Sequence, residues 1–330
     1  MLYGCTCISL AIFVLLTSWI WLPFLLVTSP VWLSFTLIAY GLLKGLGFWS
    51  QFLRLFIDAY IWLLFRSDKP RKYLWKKFYN FLCRMYPQSG WKIINYGYAI
   101  NTETGHTIVL DEDEETERYP YQLYHYIATG LKKFPNLAGL TVLDIGCGRG
   151  GGLAYVAKYL KPANAIGIDY SRDQIDFCNK NYNLPNTTFV CSDAEKLLLK
   201  NELADIVISI ESCHCFGNLR AFVSEVERVL KPGGQFFVAD YLAIGDVPEF
   251  EECLNSAGLE QQEKQDITEN ILISLKFDSN RRVDWIENYT PFYFHRMLKR
   301  FSGIEGSNVY NQMEAGDWVY LAYHFIKRKN

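Results

Sequence analysis

The residue pattern with the clearest chemical meaning is the glycine-rich stretch VLDIGCGRGGG, which begins at Val142. Gly146, Gly148 and Gly151 have the spacing GxGxxG, between a short apolar run and a helical pattern. Such a loop lets a ligand approach the backbone closely, and Asp169 follows a second apolar run, where a carboxylate accepts hydrogen bonds from ribose hydroxyls. No Gly-Lys-Ser/Thr follows, which excludes a P-loop. The loop alone fits a dinucleotide and S-adenosylmethionine equally well.

Two further acidic residues distinguish these ligands. Asp144 stands just before the glycines, and a carboxylate there suits a ligand with an ammonium group and repels a pyrophosphate. Asp193 lies in the stretch SDAEKL, where its carboxylate can accept a hydrogen bond from an adenine amino group. The stretch VERVLKPGG then precedes a fifth apolar run and completes an ordered set of motifs. The set favours S-adenosylmethionine.

These residues must be positioned by a scaffold, and from about Leu137 the sequence alternates strand and helix patterns. Strands are predicted at residues 141–146, 165–171, 187–193, 204–212 and 235–242, and helices at 152–160, 172–182 and 219–230. Ser171 and Gln174 predict a capping box at the start of the second helix. The alternation predicts an α/β fold with a Rossmann-like, doubly wound parallel sheet. The carboxyl ends of its strands would hold the candidate ligand residues.

Together the motifs resemble the class I S-adenosylmethionine-dependent methyltransferases, from roughly Tyr124 to the carboxyl terminus. The resemblance implies that the loop holds the methionine and ribose parts of the cofactor and that Asp193 and Ala194 lie at the adenine. The implied cofactor-binding residues are Asp144, Gly146, Cys147, Gly148, Asp169, Tyr170, Asp193, Ala194 and Glu211.

The segment SIESCHCF, at the end of the fourth predicted strand, supplies the candidate catalytic residues. Its Cys-His-Cys triplet is poorly spaced for structural zinc, so no metal is predicted. His214 is either a general base, within reach of a hydroxyl awaiting methylation, or a packing residue. Glu211 has the same two interpretations.

A longer set of motifs resembles one group of methyltransferases more closely. The set comprises NYGY at 95–98, YQLYHYIA at 121–128, the glycine loop, IESCHCF and the region FSGIEGSNVYNQMEAGDWVYLAYHF. These resemble the bacterial phthiotriol/phenolphthiotriol dimycocerosate methyltransferases, which O-methylate a secondary hydroxyl on an apolar polyketide lipid. A weaker likeness links IESCH to Ile-Glu-x-x-Cys-His of sterol C-24 methyltransferases, which methylate an alkene. The first 90 residues have no counterpart in the bacterial group, and the acidic run DEDEETE at 111–117 predicts a solvated loop.

Aromatic residues are frequent after the fifth predicted strand. They fit either a helical layer packed on the sheet or the wall of an apolar acceptor pocket. The residues assigned to that pocket are Tyr124, His125, Trp285 and Phe292.

The amino-terminal segment has the character of a membrane anchor. Residues 1–43 carry no charged side chain, and they fit either two membrane helices or a hairpin turning near LPFLLVTSP. Residues 48–65 fit an interfacial helix, and the basic, aromatic strip after them predicts a cytosolic flank that contacts anionic head groups. The predicted organisation is a membrane segment at 1–65, a basic linker and cap at 66–135, and a methyltransferase domain at 136–330.

The sequence therefore predicts a membrane-anchored S-adenosylmethionine-dependent methyltransferase that O-methylates a hydroxyl of an apolar lipid or polyketide-like acceptor. Its catalytic domain would face the cytosol, at the endoplasmic reticulum or a lipid droplet. The net charge of −2 gives no support for a nucleic-acid partner. Four alternatives stay open: a sterol-type C-methyltransferase, a small-amine N-methyltransferase, a nicotinamide-dependent oxidoreductase, and a catalytically silent lipid-binding or scaffold protein. The oligomeric state is also open.

Overall fold

The computed structural model describes residues 71–329, except 88–90, 132, 134–135, 291–294, 296–297 and 301, together with residues 38–42, 55 and 59. The chain divides into two compact units, Met1–Trp62 and Leu63–Asn330. The predicted membrane segment at 1–65 lies almost wholly outside the described residues and stays a prediction. Within the described part of the chain, no helix combines the length and the hydropathy needed to cross a bilayer.

A seven-stranded sheet forms the centre of the second unit. Its strands are β1 (Thr141–Ile145), β2 (Asn164–Asp169), β3 (Thr187–Cys191), β4 (Ala204–Ile210), β5 (Leu230–Ala243), β6 (Leu259–Asp266) and β7 (Trp318–Lys327). Their spatial order is β3-β2-β1-β4-β5-β7-β6. The first five strands pair in parallel, as predicted, whereas β7 runs antiparallel to both β5 and β6. The sheet is therefore mixed rather than wholly parallel.

Helices cover both faces of the sheet. They are α1 (Arg71–Met85), α2 (Arg118–Ala128), α3 (Gly151–Tyr155), α4 (Arg172–Asn181), α5 (Leu219–Val229), α6 (Val247–Leu254), α7 (Thr268–Tyr289) and α8 (Asn308–Glu314). Because side chains alternate between the faces of a strand, Val142 packs in the apolar cluster with α2, α7 and α8. Its neighbour Leu143 packs in the cluster with α5 and α6.

Local sequence signals explain where two of these helices begin and which faces they bury. The Ser171 hydroxyl accepts a hydrogen bond from the backbone N–H of Gln174 at 3.2 Å and caps α4, which is half of the predicted capping box. Asn218 caps α5 in the same way. The buried residues of α5 recur at helical spacing on one face, at Phe222, Val223, Val226 and Val229.

The chain folds differently from prediction in two places. The acidic run is mostly exposed, as predicted, but it forms a 3₁₀ helix at Glu112–Glu117 rather than a loop. Glu114 and Glu117 are buried, and the Glu117 carboxylate accepts a 3.1 Å hydrogen bond from the Lys92 backbone N–H. The segment after β5 supplies two strands as well as helices. The polar sequence of β6, LEQQEKQD, has no apolar alternation because most of its residues are exposed or half-buried at the sheet edge.

The strand order reverses between β1 and β4, because β1 leads outward to β2 while β4 leads the other way to β5. Ligands of open α/β sheets bind beside such a reversal, outside the carboxyl ends of the strands. The fold thus selects the loops after β1, β2, β3 and β4 as the place to look for a site.

Candidate active site

The glycine loop after β1 turns sharply and opens a cleft. Gly146 has φ +87°, and a Cβ there would lie 2.5 Å from the Cβ of Ser212, so only glycine fits. Gly148 has φ +53°, and a Cβ there would meet nothing within 4 Å, so this part of the loop borders open space. The Gly148 N–H donates to the Asp169 carboxylate at 2.9 Å, which ties the loop to the end of β2.

A cavity that is open to solvent lies against this loop and contains about 910 Å³ of empty space, part of it bulk solvent. The ends of β2, β3 and β4 form further walls, and α1 covers one side. The residues of the predicted cofactor set that line the cavity are Gly146, Cys147, Gly148, Asp169, Tyr170, Asp193, Ala194 and Glu211. The fold therefore gathers the predicted set, except Asp144, around one cavity, called the cofactor cleft below.

Asp144 is fully buried behind the wall of the cleft. One oxygen of its carboxylate accepts a hydrogen bond from the Tyr124 hydroxyl at 3.2 Å, and the other oxygen has no partner among the described residues. Burial raises the pKa of this carboxyl to about 7, and nearby Asp169 adds to the rise. Tyr124 lines the cofactor cleft rather than the acceptor pocket to which it was assigned. A buried carboxylate oxygen without a partner suits a ligand that brings an ammonium group.

Asp169 and Tyr170, after β2, form the middle of the cleft. The Asp169 carboxylate accepts hydrogen bonds from the N–H groups of Gly148 at 2.9 Å and Ser171 at 2.8 Å. A carboxylate has about four acceptor positions, so two remain for the hydroxyls of a ribose. The ammonium of Lys76 lies 3.7 Å from the centre of the Tyr170 ring.

Asp193 and Ala194, after β3, form the third part of the cleft. One Asp193 oxygen accepts from the Lys72 ammonium at 2.8 Å, and the other accepts from the Glu195 N–H at 3.0 Å. Ala194 is buried beside them. The residues predicted to contact the ribose and the adenine therefore lie at the ends of β2 and β3, beside the glycine loop that follows β1.

A second cavity, also open to solvent, adjoins the first and contains about 940 Å³ of empty space; it is called the acceptor cavity after the role proposed for it below. The two share Trp75, Tyr79, Ile93, Ile94 and Glu211. Five further aromatic side chains line the rest of its wall, together with polar ones: Phe78, Trp91, Tyr96, Tyr241 and Trp285, and Asn95, His214, Arg281, Arg282 and Ser302. The rings of Trp91 and Trp285 are 4.6 Å apart at their centres.

The four residues assigned to an acceptor pocket are thus separated by the structure. Trp285 lines the acceptor cavity, and Tyr124 lines the cofactor cleft. His125 lines neither cavity, because its ring turns to the hydroxyl of Tyr155 at 2.9 Å. Phe292 lies outside the described residues.

Glu211 stands where the two cavities meet. Its backbone has φ +48°, an unfavourable conformation for a residue other than glycine, and such strain clusters at functional sites. One carboxylate oxygen accepts from the Tyr96 N–H at 2.8 Å and from the Tyr320 hydroxyl at 3.0 Å. Burial raises the pKa of Glu211 to about 7, against the lowering effect of the Tyr96 hydrogen bond. The group can therefore change its protonation state near neutral pH.

His214 lines the acceptor cavity and forms a dyad with Asp240, a residue that the sequence reasoning missed. The Nδ1 atom of His214 lies 2.9 Å from a carboxylate oxygen of Asp240, which is buried at the end of the parallel part of β5. The other Asp240 oxygen accepts from the backbone N–H of His214 at 3.2 Å. The available signal was an acidic residue inside the apolar run QFFVADYL.

The dyad sets the protonation of the imidazole. Burial lowers the pKa of His214, but Cys215 and Asp240 outweigh burial and hold that pKa well above its ordinary value. With Nδ1–H directed to Asp240, Nε2 is the nitrogen that accepts a proton once the ring is neutral. His214 is thus a base whose activity rises with pH.

Fold and site together define a class I S-adenosylmethionine-dependent methyltransferase. Residues 143–238 match the family model described as "Methyltransferase domain". A phthiotriol/phenolphthiotriol dimycocerosates methyltransferase of Mycobacterium leprae is 31% identical over 78% of this chain and 93% of its own length. A fatty-acid O-methyltransferase of Mycolicibacterium smegmatis is 29% identical over 82% of this chain and 95% of its own.

The chain therefore belongs to the methyltransferase family that includes the phthiotriol/phenolphthiotriol dimycocerosates methyltransferases, and its cofactor is S-adenosylmethionine. Among solved structures, the geranyl diphosphate C-methyltransferase of Streptomyces coelicolor, in complex with Mg²⁺, geranyl diphosphate and S-adenosyl-L-homocysteine, has the same fold. Its TM-score is 0.54 at 15% identity, over 76% of this chain and 98% of that structure. Of the alternatives left open by the sequence, the nicotinamide-dependent oxidoreductase and the catalytically silent scaffold protein are therefore set aside in favour of an S-adenosylmethionine-dependent methyltransferase.

Proposed function

We propose that this methyltransferase O-methylates a hydroxyl group of an apolar lipid or polyketide-like acceptor. The observation that carries the proposal is the His214–Asp240 dyad, placed in the wall of an aromatic cavity that adjoins the cofactor cleft. A cavity with this many aromatic side chains can bury an apolar body, and its polar lining residues are Asn95, Glu211, His214, Arg281, Arg282 and Ser302. The names of the two mycobacterial relatives, which refer to phthiotriol and to a fatty acid, agree with a lipid acceptor.

The proposed chemistry divides between the cofactor and the protein. The cofactor supplies an electrophilic methyl group on a sulfonium. The neutral form of His214, whose fraction rises with pH because the dyad raises the pKa of the ring, receives the hydroxyl proton of the acceptor at Nε2, while Asp240 accepts the Nδ1–H and so fixes the tautomer. The acceptor oxygen becomes nucleophilic as the proton leaves. The shared wall of Trp75 and Tyr79 keeps the acceptor oxygen close to the cofactor cleft, so positioning supplies much of the acceleration.

The dyad favours a hydroxyl over a carboxylate acceptor. A fatty acid is already ionised at neutral pH and needs no base, whereas an alcohol holds its proton strongly. His214 would then matter for alcohol acceptors and matter little for carboxylate acceptors. This difference gives the proposal a sharp test.

The test compares the full-length protein with its His214→Ala variant on long-chain secondary alcohols and on fatty acids, using labelled methyl donor. Turnover of alcohols is expected to fall about 10²- to 10⁴-fold, with the affinity for S-adenosylhomocysteine unchanged. The control is His125→Ala, because His125 lines neither cavity. Unchanged alcohol turnover in His214→Ala, or preferential turnover of fatty acids by the wild type, would contradict the proposal.

A second candidate is C-methylation of an alkene, which the surroundings of Glu211 favour. A carboxylate at the junction of the cavities, with aromatic faces nearby, can stabilise a carbocation. In that case Glu211→Gln abolishes turnover while His214→Ala keeps most of it, and the methyl group appears on carbon in the product. The same acceptor screen, extended to small amines, tests N-methylation.

We also propose that residues 1–65 anchor the enzyme in a membrane, with the catalytic unit in the cytosol at the endoplasmic reticulum or a lipid droplet. The proposal rests on the uncharged stretch at 1–43 and on the basic residues that follow the apolar segment. An apolar acceptor is most easily collected from a bilayer. Retention of the full-length protein in membranes after carbonate extraction, with its carboxyl terminus open to protease, is the expected result. Release into the supernatant would contradict it.

A further inference from the structure

Helix α1 covers the cofactor cleft with one face. Lys72 and Lys76 line the cofactor cleft, and Trp75 and Tyr79 line both cavities. The helix belongs to the same compact unit as the sheet, yet it precedes β1 by a long stretch of chain. Its inner face is therefore a wall of the site that comes from outside the sheet.

The amino-terminal turn of α1 is fastened across the adenine end of the cleft by one side chain. The Lys72 ammonium donates to Asp193 at 2.8 Å and to Glu195 at 2.9 Å, residues more than 120 positions away along the chain. The other Glu195 oxygen accepts from the N–H of Gly217 at 2.8 Å. Lys72 thus joins α1 to the loops that follow both β3 and β4.

These contacts are partly shielded from water. The side chains of Lys72, Asp193 and Glu195 are 25%, 28% and 14% exposed. Ion pairs at this depth are screened less than surface pairs, and one ammonium between two carboxylates forms a small network. Four positions further along the helix, Lys76 lies over the ring of Tyr170.

The opposite end of α1 is held in a different way. Arg84 pairs with Asp173 of α4 at 2.8 Å, and the Arg84 side chain is 72% exposed. Neither Arg84 nor Asp173 lines a cavity. Among the described residues, the Lys72 contacts lie at the cofactor cleft and the Arg84–Asp173 pair lies outside it, which supplies a matched control.

We infer that Lys72 slows release of the cofactor, because its contacts with Asp193 and Glu195 hold α1 over the adenosine end of the cleft. Exchange of S-adenosylmethionine for S-adenosylhomocysteine then requires Lys72 to leave both carboxylates, so that the first turns of α1 can move aside. Lys72 belongs to the basic strip at 66–77, for which contact with anionic head groups stays a prediction, and it also lines the cofactor cleft.

The test measures the binding of S-adenosylhomocysteine to the full-length protein by stopped-flow tryptophan fluorescence, because Trp75 lines the cleft. Lys72→Met is expected to raise the dissociation rate and Kd about tenfold, since charge-assisted hydrogen bonds are lost. Lys72→Arg keeps the charge and is expected to stay within about threefold of the wild type. Glu195→Gln, with Asp193 intact, is expected to give an intermediate dissociation rate.

The control is Arg84→Gln, which removes an ion pair from the same helix away from the cleft. It is expected to leave the dissociation rate of S-adenosylhomocysteine unchanged, while thermal unfolding reports any loss of stability in each variant. Equal dissociation rates in Lys72→Met and wild type would overturn the inference. So would tighter binding in Lys72→Met, because Lys72 would then compete with the adenine for Asp193. Equal effects of Lys72→Met and Arg84→Gln would reduce Lys72 to a stability contact.

Discussion

Replacing Asp144 by asparagine is expected to stabilise the cofactor-free protein at pH 8 and to weaken its cofactor binding. The Asp144 carboxylate is buried, and one of its oxygens has no partner among the described residues. When the Asp144 carboxylate is ionised and no ligand cation is bound, its negative charge is buried without a compensating positive charge. An asparagine has nearly the same shape and can still accept the hydrogen bond from Tyr124.

The size of the effect follows from the pKa of the carboxyl. Burial raises that pKa from 3.8 to about 7, a shift of about three units, and each unit corresponds to about 1.4 kcal/mol. Because the folded protein keeps the proton up to about pH 7 and the unfolded chain loses it near pH 3.8, the stability due to Asp144 falls as pH rises through this window. Above it, Asp144→Asn is expected to be more stable by up to about 4 kcal/mol.

The assay is urea unfolding of the cofactor-free protein between pH 4 and pH 8, with the exposed Asp176→Asn as the charge-matched control. The difference in unfolding free energy between Asp144→Asn and wild type is expected to be near zero at pH 4 and to grow through neutral pH. S-adenosylhomocysteine, which keeps the ammonium group, is expected to bind the variant about 10- to 100-fold more weakly. A difference that does not depend on pH, or a variant less stable than wild type at pH 8, would refute the reasoning.

Three further predictions address the dyad, the glycine loop and the acceptor cavity. In Asp240→Asn the rise of kcat with pH is expected to occur at lower pH, because His214 loses the carboxylate that raises its pKa, and the maximal kcat is expected to fall about 10- to 100-fold. An unchanged pH profile would show that the protonation of His214 does not control kcat. Gly146→Ala is expected to lower the unfolding free energy by about 2–4 kcal/mol, because φ is +87° and the added Cβ meets Ser212. The control Gly139→Ala, with φ +80° and open surroundings, is expected to lower it by about 1 kcal/mol, and equal losses in the two variants would exclude the clash. Trp285→Leu is expected to raise KM for apolar acceptors about tenfold with the Kd of S-adenosylhomocysteine unchanged, and a changed Kd with constant KM would reverse the assignment of the two cavities.

The glycine loop shows what the sequence can predict about this site. The glycine spacing, the acids at 169 and 193 and the strand pattern are local signals. The parallel sheet brings the residues at the ends of β1, β2 and β3 to one cleft, with Asp144 buried behind its wall. The rule that ligands bind at the carboxyl ends of strands then suffices to place them.

Asp240 and Lys72 show where such reasoning stops. Asp240 meets His214 across 26 positions, and Lys72 meets Asp193 across 121. Neither contact has a local signature, because each depends on how separate elements pack. Conversely, neighbours in sequence need not share a site. His125 is adjacent to Tyr124 in sequence, but its ring contacts Tyr155 and lines neither cavity. Strand β6 was missed because an edge strand with exposed faces carries little apolar alternation. Strand β7 is buried between β5 and β6, and its continuous apolar run was not assigned to a strand.

The position of β7 has a consequence for how the protein is made. This strand, near the carboxyl terminus, lies between β5 and β6, and β6 pairs with no other strand among those described. While the chain is being synthesised, β6 therefore leaves the ribosome without a partner, and β5 has one unpaired edge until β7 appears. Completion of the sheet waits for contacts of long sequence separation, which form slowly. We expect nascent chains that stop before residue 318 to depend on chaperones and to aggregate through these open edges.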